Sequence, residues 1–384
     1  MGSKKNIYLD YNATTPVDMR VLDAMLPYFT ENFGNASSDH IFGWDAGEAV
    51  EFAREQVSNL VHCKSTEISF TSGATEAANL ALFGFCKRNR TKGKHIITCN
   101  TEHKAILDPM QVLDKEGFQI TYLDVNDNGN IDLQELENAI TSETILVCFM
   151  LANNETGLIH PMAEIEKIVH KHGARLMCDI TQAVGKIPVN LEELNLDIAV
   201  FSSHKIYGPK GVGALYLNRR NKVDIASIFF GGGQEKGMRP GTLNVPGIVG
   251  FGKAAEIASE EIHQEFIKIS ELRKKLEVRL EEIEGVKINS RNSNRLPNTT
   301  NISFKNIDGN RLVRKLNGLS LSRGSACTSN ILQPSHVLKA MGLSDELALS
   351  SLRISLGRNT RLSDIEFAAQ EIKNTVNQIK KALV

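Results

Sequence analysis

Short apolar runs alternate along this chain with longer segments whose apolar residues recur every three or four positions. Ile7 to Asp10, Glu67 to Phe70, His95 to Thr98, Phe118 to Leu123, Arg175 to Cys178 and Asp197 to Phe201 read as strands. Thr144 to Leu151 is continuously apolar, as expected of a strand covered on both faces. Between them, Val21, Leu22, Met25 and Phe29 share one helical face, Ala46 to Val61 and Ala77 to Phe85 read as helices, and Ile106, Met110 and Leu113 share another face. A further helix is expected from Met162 to His172. This order predicts an α/β architecture around a largely parallel sheet. Ile262, Phe266, Ile269, Leu272, Leu276, Leu280 and Ile283 then form a long amphipathic stripe that bridges to a second domain. Strands near Val286 to Ile288 and Thr300 to Phe304, and a helix from Gly309 to Leu316, belong to that domain. A closing helix starts at Ser363, which forms a capping box with Glu366, and carries Ile365, Ile372, Val376 and Ile379.

Chemistry gathers where strands end. Parallel strands of open sheets present ligand-facing groups just past their carboxyl ends. Three successive predicted strands deliver Asn154, then Asp179 with Gln182, then Ser202 with His204 and Lys205. A lysine in that setting suits a Schiff base to a carbonyl cofactor bearing a phosphate. Taken alone, Lys205 reads equally well as a solvated lysine in a strand-to-turn segment; the convergence favours a site. Thr71-Ser72-Gly73-Ala74-Thr75-Glu76 turns a strand into a helix start, which is capping grammar and also a seat for an anion. Cys327 differs from the other cysteines in lying in a small polar segment, Ser325-Ala326-Cys327-Thr328-Ser329, where a thiol is open to nucleophilic chemistry.

Composition narrows the class. Lys plus Arg is 44 against 45 Asp plus Glu, a net charge of -1, which offers no general attraction to nucleic acid or an anionic membrane. Cysteines at 63, 86, 99, 148, 178 and 327 form no CxxC pair and fit reduced intracellular thiols. There is no apolar run of about 18 residues and no signal-peptide pattern after Met1. Asn6 stands where a myristoylation signal needs Ser or Thr. A soluble cytoplasmic protein is expected. Asp124 to Glu135 matches a twelve-residue calcium loop position by position, but a strand precedes it where a helix is required, so turn chemistry is the preferred reading and no metal is expected.

The ordered segments LDYNATTPVD, FTSGATEAANLAL, TEHKAILD, NNETG, CDITQAVGKIPV, SSHKIYGPKGVGALY, GGGQEKGMRPGTLN, RGSACTS and LRISLGR resemble those of pyridoxal-phosphate-dependent cysteine desulfurases of the iron–sulfur cluster assembly type. Residues 331–338, after the cysteine, resemble the long-loop group of that class-V aminotransferase family. The resemblance implies a fold-type-I transferase: a large domain, 14–257, with a mostly parallel seven-stranded sheet, and a smaller α+β domain of 1–13 and 258–384 carrying the cysteine loop. It also implies a homodimer with its sites at the subunit interface. Lys205 would hold pyridoxal 5'-phosphate and move the Cα proton, Asp179 would pair with the ring nitrogen, and His103 would stack on the ring and handle protons. Gln182 and Asn154 would serve the ring-oxygen side. Ala74, Thr75, Ser202 and His204 would hold the phosphate, joined by Thr242 of the second subunit. Asn35 and Arg353 would take the substrate carboxylate, and Cys327 would receive the sulfur of L-cysteine as a persulfide, leaving L-alanine. The sulfur would pass to an iron–sulfur scaffold or another acceptor protein, tRNA thiolation included. Ala36, Asp39, Pro240, Arg323 and Gln333 depart from the family pattern, bearing on loop dynamics and partner choice rather than the reaction. An aminotransferase or selenocysteine lyase on the same scaffold leaves Cys327 without a role, a calcium-binding protein leaves Lys205 without one, and a sulfur carrier without catalysis would not need that lysine.

Overall fold

Every residue from Thr144 to Met150 is buried, and this strand lies inside the main sheet. The computed structural model describes residues 6–323 and 333–382. The chain opens with β1 (Ile7–Tyr8), α1 (Met19–Met25), α2 (Pro27–Thr30) and α3 (Ile41–Leu60). Strands and helices then alternate: β2 (Ile68–Thr71), α4 (Ala74–Asn89), β3 (His95–Cys99), α5 (Lys104–Lys115), β4 (Gln119–Leu123), α6 (Leu133–Ala139), β5 (Thr144–Met150) and α7 (Met162–Lys171). β6 (Arg175–Asp179), β7 (Ile198–Ser202) and β8 (Gly213–Leu217) complete the sheet before α8 (Val245–Glu281). The remainder is β9 (Val286–Ile288), β10 (Thr299–Phe304), α9 (Gly309–Lys315), β11 (Leu319–Ser320), α10 (His336–Ala340), α11 (Asp345–Leu349), β12 (Leu352–Ser355) and α12 (Leu362–Lys381).

The seven strands run in the order β2-β8-β7-β6-β5-β3-β4. β7, β6, β5, β3 and β4 are mutually parallel, whereas β8 is antiparallel to both β7 and β2. The apolar pattern missed β8, because the glycine-rich turn before it reads as loop. Helices cover both faces, as burial of a parallel sheet requires. Phe201 at the end of β7 meets Phe251 of α8 edge-on, with ring centroids 5.7 Å apart. α8 lies so close to α3 that a Cβ on Gly252 would come within 2.6 Å of Ala53 Cα. The first half of α8 buries Ile248, Phe251 and Ile257 against the large sheet, and its second half buries Ile269, Leu272, Leu276 and Leu280 in another core. That second core contains Ile7 and Leu9 together with β9, β10 and β12 residues and α12. One helix therefore ties both cores, and the amino terminus belongs to the second.

Several expected boundaries shift. α3 begins at Ile41, with His40 accepting the Gly43 N–H, rather than at Ala46. Val21 and Met25 are buried but Leu22 and Phe29 are exposed, so only part of the expected face is covered, and Pro27 starts a separate turn. The closing helix starts at Leu362, and Asp364 accepts the Arg361 N–H, so the Ser363–Glu366 capping box does not form. The calcium-like loop lies between β4 and α6, where Asn126 Oδ1 accepts N–H groups of Asn128 and Asn130 and closes the turn.

At the amino end of β7, buried Asp197 accepts from Arg175 Nη1 and the Leu176 N–H and faces His170 Nε2 at 2.6 Å. His170 Nδ1 lies 2.7 Å from Glu166. The hydrogen bond to Asp197 raises the His170 pKa, and Glu166 adds to it against partial burial. A raised pKa stabilises the fold fully below the ordinary histidine value of about 6.5, and the contribution fades as pH rises through the folded value. His170→Gln should lower stability by about 2 kcal/mol at pH 6. The deficit should shrink in thermal melts at pH 9.

Candidate active site

Asp179 ends β6 and Ser202 ends β7, so neighbouring parallel strands release their chains at one edge of the sheet. The turn after β5 is closed by Asn153 Oδ1, which accepts the N–H groups of Glu155 and Thr156 and presents Asn154. Asn154, Asp179, Gln182, Ser202, His204 and Lys205 line one cavity of about 340 Å³, together with His103, Ala74, Thr75 and Arg353. The sequence-predicted convergence is thus present in space.

Lys205 closes a short 3-10 turn, Ser203–Lys205, and its Nζ donates to the carbonyls of Asn12 (2.6 Å) and Ala13 (2.8 Å). Asp179 Oδ1 accepts the Thr181 N–H at 2.9 Å, which fixes the carboxylate across the cavity floor. His103 is the N-cap of α5, and its Nδ1 accepts the Ala105 N–H at 3.1 Å. In the neutral ring the proton therefore sits on Nε2. Partial desolvation lowers the His103 pKa, Asp179 opposes the shift and Lys205 reinforces it. His204 is pushed down to about 4 by burial and by the charges of Lys205, Lys210 and Lys186. Both imidazoles are thus neutral near pH 7.

The start of α4 supplies an anion seat. The Ala74 N–H donates to Ser202 Oγ at 2.7 Å, joining the helix to the end of β7. A Cβ on Gly213 would lie 2.6 Å from Gly73 Cα, so two glycines allow β8 to pass beneath the helix start. The first-turn N–H groups point outward with the positive end of the helix dipole. His204 and Thr75 flank the same edge of the cavity. A phosphate matches this set of donors, and a ring bearing a basic nitrogen and an aldehyde matches Asp179 and Lys205.

The second core closes the cavity. Arg353, in β12, donates to Asp10 Oδ1 (2.7 Å) and the Asn154 carbonyl (3.1 Å), while its Nε is buried without a partner. Nη1 and Nη2 each keep a second N–H, and Arg353 lines the cavity, so the guanidinium can still meet a carboxylate ligand. Asn12, present in the sequence reading only within the segment LDYNATTPVD, is the joint of the site. Its carbonyl accepts from Lys205 Nζ and from Gln182 Nε2 (3.0 Å). Its side chain accepts from Lys186 (3.2 Å) and Asn298 (2.9 Å) and donates to Thr299 Oγ1 (2.8 Å) and the Asn154 carbonyl (3.0 Å). Lys186, Glu155 and His336 also escaped the sequence reading as site residues; nothing in their spacing marks them, and only the quoted segments around Glu155 and Lys186 hinted at a role.

The flanks of residues 324–332 are held at this cavity. Ser322 and Arg353 exchange backbone hydrogen bonds, Ser335 Oγ donates to Glu155 Oε2 at 2.5 Å, and His336 Nε2 donates to the Glu102 carbonyl at 2.9 Å. Cys327 lies outside the described residues. Thr242 and Asn35 are not among the lining residues; Asn35 Oδ1 instead accepts the Ser37 N–H.

A lysine, an aspartate and a histidine set over a helix-borne anion seat at the carboxyl edge of such a sheet define a pyridoxal-phosphate type of transferase site. The aminotransferase class-V family model matches residues 7–367. The chain is 48% identical to cysteine desulfurase IscS of Anaeromyxobacter sp. (strain Fw109-5) over 377 residues, 98% of this chain and 93% of that protein. Among solved structures it is similar to a NifS-like protein, with 39% identity, a TM-score of 0.91 and coverage of 97% of this chain and 99% of that one. It is also similar to SspA in complex with cysteine, with 34% identity, a TM-score of 0.81 and coverage of 91% and 98%. The chain belongs to the class-V aminotransferase family and is a pyridoxal-phosphate enzyme.

Asn12→Ala would leave the Asn298 amide, the Lys186 ammonium and the Thr299 hydroxyl without their shared partner. A loss of about 3 kcal/mol is expected in denaturant unfolding, several such groups being stranded at once.

Proposed function

We propose that this protein is a cysteine desulfurase, converting L-cysteine to L-alanine and taking the sulfur onto Cys327 as a persulfide. The observation that carries this reading is the single cavity shared by Lys205, Asp179, His103 and Arg353, with the flanks of the Cys327 segment held at its wall. The named relatives support the same activity.

Pyridoxal phosphate, when bound, supplies an electron sink for the pair released at the substrate's Cα. Lys205 holds the cofactor and carries the proton to and from Cα. Asp179 keeps the pyridine nitrogen protonated, so the ring stays electron-withdrawing. Ala74, Thr75, Ser202 and His204 hold the phosphate, and Asn154 and Gln182 face the ring oxygen. Arg353 orients the substrate carboxylate, helped by Asn35. His103, neutral with its proton on Nε2, covers the ring and relays protons near the substrate sulfur. Cys327 attacks as a thiolate. A sulfur–sulfur bond forms, the substrate's carbon–sulfur bond breaks with its electron pair left on carbon, and that carbon takes a proton to become the methyl group of alanine.

The assembly follows from the same reading. The large domain spans 14–257, and the small domain comprises 1–13 and 258–384. A homodimer supplies Thr242 to the second subunit's phosphate seat. Its support is the exposed Met19, Leu26, Phe29, Phe33, Trp44 and Phe52, bulky apolar side chains concentrated in one stretch of the chain. The acceptor of the persulfide is an iron–sulfur scaffold protein or another sulfur carrier, tRNA thiolation included. The protein works in the cytoplasm: Cys63, Cys86, Cys99, Cys148 and Cys178 are free thiols, and among the described residues no helix is long and apolar enough to cross a membrane.

The holoenzyme should absorb in the visible range and release alanine from cysteine. Lys205→Ala should lose that absorption, and Cys327→Ala should retain it while failing to form a persulfide. A colourless parent, or undiminished sulfide output from Cys327→Ala without added thiol, would overturn the assignment. Sedimentation should give twice the chain mass, and Phe29→Glu with Phe33→Glu should shift it toward the monomer.

A further inference from the structure

Four residues beyond Gln182, Lys186 turns its ammonium back onto the same site. Its Nζ donates to Gln182 Oε1 at 2.5 Å and to Asn12 Oδ1 at 3.2 Å, two neutral amide oxygens rather than a carboxylate. Tyr11, Pro297 and Leu356 share the narrow slot in which it sits. Loss of hydration pushes its pKa well below the ordinary lysine range, with the charges of Lys205 and Arg353 adding to the effect. A cation in such a slot is costly, and an apolar side chain of the same length would fill the space more cheaply.

The hydrogen bonds assign the Gln182 amide at both ends. The Asn12 carbonyl only accepts, so the atom facing it is Nε2, and the atom facing Lys186 is therefore Oε1, which accepts from Nζ. Nε2 carries a second hydrogen, and Gln182 lines the cavity. Lys205 Nζ donates to that same Asn12 carbonyl, so the Gln182 amide nitrogen and the Lys205 amine are neighbours. On a pyridoxal ring the phenolic oxygen stands ortho to the carbon that a lysine amine joins. A donor beside Lys205 therefore meets that oxygen.

We propose that Lys186 is a positioning residue: it holds the Gln182 amide so that an N–H, and not the carbonyl, faces the phenolic oxygen of the cofactor beside Lys205. This rests on the cofactor reading given above. The donor stabilises the phenolate and eases loss of the proton shared between the phenolic oxygen and the lysine–cofactor linkage, so removing the donor, or the Lys186 contact that orients it, raises the pH at which that proton leaves. Asp179, His103, Lys104, His204, Arg353, His336 and Glu155 also face the cavity, and Glu265, Tyr11 and Tyr207 line the slot of Lys186. They set the absolute midpoint but remain in every variant, so the difference between variants reports on Lys186 and Gln182.

The test is a visible-absorbance pH titration of the loaded enzyme, with no substrate present. Lys186→Met should raise the midpoint by about one pH unit. Lys186→Arg, which still only donates, should stay near the parent, and Lys186→Gln, which offers either polarity, should fall between them. Gln182→Met should also raise the midpoint, and the Lys186→Met, Gln182→Met double variant should move little further than the larger single change. A coloured, folded Lys186→Met with the parent midpoint would overturn the proposal, as would shifts that add in the double variant. Should Lys186→Met not fold, equal midpoints for the Arg and Gln variants would overturn it. A colourless parent would instead overturn the cofactor reading itself.

Discussion

The structure hinges on one buried asparagine in the turn after β1. Asn12 joins the large sheet to the second core through its side chain and offers its carbonyl to Lys205 and Gln182. A buried polar group must be paired or cost free energy, so each of these partners is constrained by the others. The amino-terminal strand that carries Asn12 packs with β11 of the second core, while the residues it organises come from β6 and β7. The site therefore cannot form until both cores have docked. The long α8 helps, because a single helix shared by two cores limits how far they can separate.

Electrostatics within the cavity follow from that closure. Burial keeps both imidazoles neutral, reinforced by the Lys205 charge at His103 and by Lys205, Lys210 and Lys186 at His204. Neutral histidine can stack on a ring and pass a proton in either direction, which a permanently charged ring could not do. Asp179, held by the Thr181 N–H, is the carboxylate that balances this charge at the strand ends. The same positive field favours a phosphate and a substrate carboxylate. Asp10, against Arg353, keeps that guanidinium oriented with its Nε left unpartnered in the chain.

The alternation of apolar runs and helical stripes was enough to read the α/β class, the parallel strands β3 to β7 and the convergence of Asn154, Asp179 and Lys205. These are local signals, since strand period, helix period and turn residues are written in consecutive positions. β8 was missed because the glycine-rich turn before it reads as loop, and the Ser363–Glu366 box failed because Arg361, two residues before Ser363, is the N-cap. Asn12 and Lys186 were invisible as site residues for the same kind of reason. An asparagine in a turn and a lysine four residues beyond a glutamine carry no distinctive spacing.

What the sequence determined by itself was the family's ordered segments and the strand ends that bring Asn154, Asp179 and Lys205 to one edge of the sheet. Only the tertiary structure decided which groups orient the site's side chains. Arg353 is turned toward the cavity because Asp10 and the Asn154 carbonyl each hold one of its terminal nitrogens. Gln182 presents a donor because Lys186 and a backbone carbonyl meet its two ends. The physical reason is that hydrogen-bond direction is settled by the partner, and these partners lie as far apart in the chain as residues 10, 154 and 353.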